Sequence, residues 1–168
     1  MLIAVLCCQL ALLVYHQITT LFDFYPFNGV RHYTWKERLG EAGFNAVLMS
    51  LPPVGFGFHI RGLMIFGLIY YYFLFAVEII IWWVLYLTVP TGRWRTLHNR
   101  LLGAVMFNDP RADASARWKE FYNRLHRDTI KVLPPRGDRP MPNLEHTILH
   151  AWTLTTAIVT TISFFNLY

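Results

Sequence analysis

The sequence predicts an all-α, polytopic integral membrane protein with four transmembrane helices and interfacial amphipathic helices in the loop before the last span. Three observations carry this reading. Of 168 residues, 55% are hydrophobic and only 15% charged, with a mean hydropathy of +0.34, whereas soluble domains carry about a quarter charged residues. The uncharged stretches are long enough to cross a bilayer, and the basic residues fall almost wholly into two loops. The high apolar fraction excludes a disordered or collagen-like chain. The adjacent pair Cys7-Cys8 cannot build a disulfide-dense scaffold, nor form the spaced pair of a thiol oxidoreductase.

The spans are taken in chain order, as one membrane domain covering residues 1–168. Met1 to Phe22 carries no charge and as a helix is roughly 33 Å long, close to the hydrocarbon thickness. It has no basic leader and no small-x-small cleavage site, so it is expected to stay as the first helix. Residues 44–60 are uncharged but contain Pro52-Pro53 and Gly55-Phe56-Gly57. Each proline removes a helix donor, which predicts a kinked span or a re-entrant pair of half-helices. Residues 62–89 form the clearest span, with Glu78 their only charge; the stretch exceeds a bilayer core and must tilt or project. The last, 146–168, has no charge after Glu145.

Charge sets the topology. Arg31, Lys36 and Arg38 lie in the first loop, Arg61 stands alone between the second and third spans, and every other Lys or Arg lies between Arg93 and Arg139. Four crossings put both basic loops on one face. The positive-inside rule makes that face cytoplasmic and leaves both termini on the other side. In the long loop, 90–145, Trp118, Phe121, Tyr122, Leu125 and Val132 recur at helical spacing, flanked by Arg117, Lys119, Arg124, Arg127 and Lys131. That pattern suits a helix lying on the membrane surface; the alternative is a helix that packs its stripe on the rest of the loop. An earlier helix, about Arg95 to Phe107, repeats the pattern with Leu97, Leu101, Leu102 and Val105. Asn108-Asp109-Pro110 separates the two, Asp113 can cap the second, and Asn143 the last span. The net charge of +5 sits beside spans, which favours anionic lipid headgroups as its partner and argues against nucleic acid. Aromatic and basic residues from Asp23 to Gly43 read as an interfacial belt.

An ionisable residue at bilayer depth costs on the order of 3 kcal/mol, so Glu78 needs a partner, a proton or water. Counted at the helical rise from the outer face, His16 lies about 22 Å deep, Glu78 about 24 Å and His150 about 27 Å. These three, with Asn45 and His146 as further candidates, are expected to form one polar layer. Such a layer can hold helices in register, handle protons or substrate, or ligate a metal or haem. His146 and His150, spaced i, i+4, share a helix face and are the candidate metal ligands. Thr153, Thr155, Thr156, Thr160 and Thr161 offer small surfaces for close helix packing.

No phosphate loop, dinucleotide glycine fingerprint or Ser-His-Asp order stands out. With a small soluble portion and many aromatics, the expected role is an accessory, assembly or scaffold subunit of a larger membrane complex, contacting other membrane subunits or itself. The alternative is a membrane-embedded enzyme or proton-coupled carrier built on Glu78, His16 and His150.

Overall fold

A computed structural model describes residues 1–88, 91–107 and 113–167. The chain runs through α1 (Leu2–Leu21), a short 3-10 turn at Val30–His32, α2 (Trp35–Gly57), α3 (Arg61–Leu87), α4 (Gly92–Phe107), α5 (Ala114–Leu125) and α6 (Leu144–Leu167). No strand occurs among the described residues beyond an isolated bridge between Lys131 and Asn143. The expected span limits at Val89-Pro90 and Tyr168, and the separator Asn108-Asp109-Pro110, lie outside the described residues, as does the Val105 side chain.

Three helices, α1, α3 and α6, are long and apolar enough to cross a membrane. The helix over the expected second span, α2, is not among the three and differs from the expectation in two ways. It starts at Trp35 rather than at 44, because Thr34 closes a capping box: its hydroxyl accepts from the Glu37 amide at 3.2 Å while Glu37 accepts from the Thr34 amide at 2.8 Å. The added turns carry Lys36, Glu37, Arg38 and Glu41. Pro52 and Pro53 also lie inside one continuous helix, not between two re-entrant halves. Both rings are buried and packed in the helix interface, with Pro52 seated on the bare backbone of Gly67 in α3: a Cβ there would lie 2.9 Å from Pro52 Cβ.

α1 packs on α2 and α6, and α3 packs on the same two. Buried side chains mark successive levels along them. Val5, Phe56 and Met64 meet with Phe164 and Leu167, which puts the start of α1, the end of α2, the start of α3 and the end of α6 at one level. Leu12, Met49, Tyr71 and Ala157 form the middle, beside a buried hydrogen bond from Gln9 Nε2 to Thr160 Oγ1 at 3.1 Å. Adjacent helices therefore run antiparallel. Of the threonine series, Thr153, Thr156 and Thr160 face inward and pack within the chain, while Thr155 is exposed and Thr161 half-buried. Ile3, Phe44, Val47, Ile69, Phe73 and Phe165 are exposed on the outside.

At the far end α4 and α5 fold onto α3. Ile81, Trp82, Leu85, Leu102, Ala114, Trp118 and Tyr122 form one core there. The stripe expected to face the membrane surface is thus turned inward at Trp118, Tyr122 and Leu125, the packing alternative. Trp82 offers that stripe an edge-to-face aromatic partner at 5.1 Å from Trp118. Val132 lies beyond the end of α5 and is exposed. Arg117, Arg124 and Arg127 stay on the surface, while Lys119 and Lys131 are half-buried. The expected caps are present, Asp113 accepting from the Ala116 amide and Asn143 from the His146 amide at 2.9 Å.

Both basic loops lie together at this end. Asn28, fully buried, donates to the Thr19 and Phe22 carbonyls and accepts from the Phe24 amide, each at 2.9 Å. The first loop then meets the second through Ile130 N to Pro26 O at 2.9 Å and Arg124 to Glu37 at 3.0 Å. Gly29 packs directly on the Leu125 carbonyl, where a Cβ has no room.

Candidate functional site

Between the middle level and the α4–α5 end lies a cavity of about 350 Å³, within the range of small-ligand sites. The depth count placed His16, Glu78 and His150 together, and all three line it, as do Asn45 and His146. The first basic loop, α2 and the segment after α5 add Tyr33, Glu41 and His126, which sequence reasoning left in loops or passed over.

The local backbone of α3 shapes one wall. Its α-helix ends at Glu78 and a π-helical turn covers Ile79–Val84 before the last turn, Leu85–Leu87. A π-helical turn is wider than an α-helical one and is often found at functional sites. Here Ile81 and Trp82 line the cavity and Trp83 reaches α6. His98 of α4, 1% exposed, bonds the Ile80 carbonyl inside this turn at 3.3 Å.

Glu78 and the histidines share the cavity but do not pair as expected. Glu78 Oε1 accepts from Thr153 Oγ1 at 3.0 Å; Oε2 is buried without a partner. Trp83 Nε1 donates to His150 Nδ1 at 2.9 Å, so the neutral ring carries its proton on Nε2, which is also buried and unpartnered. His146 Nδ1 lies 2.7 Å from Asn143 Oδ1. An amide oxygen only accepts, so Nδ1 is the donor and Nε2 the acceptor edge. His16 keeps to its own helix, with Nδ1 3.4 Å from Thr20 Oγ1.

His126 sits over this group. Its ring centroid is 5.0 Å from that of His146 and 5.1 Å from that of Trp82, and its Nε2 is 3.2 Å from the Tyr33 hydroxyl. Burial, together with the charges of Lys131 and His32, holds the His126 pKa down at about 3. Burial likewise raises the Tyr33 hydroxyl well above its usual range. His126 Nδ1 and Trp118 Nε1 are buried and unpartnered.

Four unpartnered polar atoms, on Glu78, His150, His126 and Trp118, thus belong to residues lining one cavity, all at least nine-tenths buried. His146 and His150 do share a face, ring centroids 6.0 Å apart. Among the described residues no group of three His, Cys, Asp or Glu side chains is placed to hold a metal ion. No family model, curated protein or solved structure matches the chain.

Proposed function

We propose that this chain is a membrane-embedded enzyme or proton-coupled carrier that binds a small ligand in the Glu–His cavity and exchanges protons with it. One observation supports the reading above all. Residues from distant parts of the sequence bring Glu78 together with His16, His126, His146 and His150 in the lining of one cavity. A site of opposed carboxyl and imidazole groups is the usual equipment for proton exchange.

In this proposal α2 is the fourth span of a four-helix bundle. Its support is the packing between α1 and α3 and the short connection from Gly57 to Arg61. Both basic loops face the cytoplasm and both termini the opposite side, by the positive-inside rule. Arg117, Arg124 and Arg127 then meet anionic headgroups while the α5 stripe stays inside. The accessory-subunit reading draws on the exposed apolar faces, but acyl chains cover such faces equally well.

The test is unbiased. The protein is purified in mild detergent, extracted with organic solvent, and its co-purifying small molecules are compared by mass spectrometry with those of a Glu78→Gln, His150→Gln double variant of unchanged helicity. A molecule retained near one per chain and lost from the variant is expected. Identical extracts would overturn the reading.

A further inference from the structure

We propose that the cleft between the end of α3, the α4–α5 pair and the linker before α6 binds the phosphate headgroup of one anionic phospholipid. This cleft, of about 320 Å³, shares no lining residue with the Glu–His cavity and is roomy enough for a headgroup. Three elements each bring one cation to it: Arg95 from α4, Lys119 from α5 and Arg139 from the linker. All three keep accessible surface, Arg95 exposed and the other two half-buried. Arg139 is held in place by donating from Nη1 to the Tyr86 carbonyl at 3.1 Å, and a guanidinium has further N–H groups to offer a phosphate. Arg95 forms no ion pair among the described residues. Two carboxylates share the lining and leave it with a positive excess. Asp113 is engaged at its own helix end, accepting from the Ala116 amide at 3.4 Å and from Asn99 Nδ2 at 3.5 Å. Asp138 pairs with Lys119, but its side chain is 83% exposed, and a pair so open to solvent is weak enough for a phosphate to displace.

The surroundings call for a phosphate that carries acyl chains. Leu85 and Thr88 place the cleft at the end of the apolar α3. On α4, His98 and Leu102 are buried against the core, whereas Trp94, Leu97 and Leu101 are exposed along one face, as is Leu87 at the end of α3. The same helix carries Arg93, Arg95 and Arg100, all exposed. An exposed apolar stripe among arginines, beside a span, is the pattern of a helix lying at the headgroup boundary, where tryptophan is enriched. The surface role that the sequence suggested for the α5 stripe thus passes to α4. An anionic head with an apolar tail meets both the cleft and the stripe, whereas a soluble phosphate meets only the cleft. Basic pockets at the ends of spans recognise such heads.

To test this, the full chain is delipidated in mild detergent and titrated with phosphatidylglycerol or with phosphatidylcholine of the same acyl chains, bound lipid being counted by native mass spectrometry. One phosphatidylglycerol per chain is expected, held roughly tenfold tighter than phosphatidylcholine. Arg95→Gln and Arg139→Gln should each bind it about fivefold more weakly, the effect of one cation near a phosphate. Arg100→Gln, which takes the same charge from α4 outside the cleft lining, should bind as wild type does. Asp138→Asn should bind at least as tightly as wild type, because a competing carboxylate is gone. Equal affinity for the two lipids, binding that does not saturate, or a loss in Arg100→Gln as large as in the cleft variants would overturn the proposal. Glycerophosphoglycerol, the same head without chains, is the competitor that separates the sources. It should leave the lipid bound at equal concentration; displacement there would assign the cleft to a soluble phosphate and overturn the lipid. Should Arg139→Gln unfold with the loss of its tie to Tyr86, the exposed Arg95 decides the matter alone.

Discussion

Truncating Trp118 to alanine tests whether α5 belongs to the protein's core or to the membrane surface. The side chain is 1% exposed, meets Trp82 edge-to-face at 5.1 Å and stacks on Phe121 at 5.3 Å. Removing a buried aromatic of this size costs about 3–5 kcal/mol, and each aromatic pair contributes about 0.5–1.5 kcal/mol beyond its area. At roughly 2–4 °C per kcal/mol for a chain of this length, Tm should fall by about 6–20 °C. The assay is thermal unfolding in detergent followed by helical circular dichroism, on Trp118→Ala, Trp82→Ala and the double variant. The cycle should return a coupling of about 0.5–1.5 kcal/mol. A stripe that lay in headgroups would lose lipid affinity and little stability. A Tm within about 2 °C of wild type, with the two changes additive, would refute the packing argument.

Acid should weaken the fold through His126. Its folded pKa of about 3 lies below the ordinary imidazole value of 6.5, so the unfolded chain takes up the proton first and stability falls as pH drops from 6.5 towards 3. That amounts to about 2 kcal/mol between pH 7.5 and 5, and His126→Gln should lose about that much less over the same interval in Tm measurements. Gly55→Ala should destabilise by about 1–3 kcal/mol, because the new Cβ would sit 2.8 Å from the Leu63 carbonyl carbon and 2.9 Å from the Met64 amide nitrogen; an unchanged Tm would mean that α2 and α3 meet elsewhere. For topology, cysteines placed at Phe58 and Asn123 in a background lacking Cys7 and Cys8 should label oppositely: Phe58→Cys reacts with an impermeant maleimide in intact cells, and Asn123→Cys only after permeabilisation. Equal labelling would rule out the four-span arrangement.

The part of the site carried on long helices was readable because helical rise is uniform. Counting residues is enough to bring His16, Glu78 and His150 to one level, and the structure gathers them with His146 around one cavity. Tyr33 and His126 were not readable that way. Their positions depend on how two loops are tied, through Asn28 inside the first and Gly29 against Leu125 in the second. The one available signal was that both basic loops fall at the same end as the deep histidines. The α5 stripe was legible as a period, but not its partner, since an apolar face satisfies lipid and Trp82 alike. Pro52-Pro53 misled in the opposite direction, because donor loss argues for a break unless the packing surface, Gly67, is known. The π-helical turn that presents Trp82 and Trp83 has no periodic mark of its own.

The central claim is that histidines remote in sequence surround one cavity with Glu78. Solid-state NMR of the protein in lipid, with carbon and nitrogen labels on histidine alone, measures this directly. Ring-to-ring cross-peaks are predicted between His126 and His146, at 5.0 Å, and between His146 and His150, at 6.0 Å, the first disappearing in His126→Gln. A spectrum with no contact between the loop histidine and those of α6 would contradict the account.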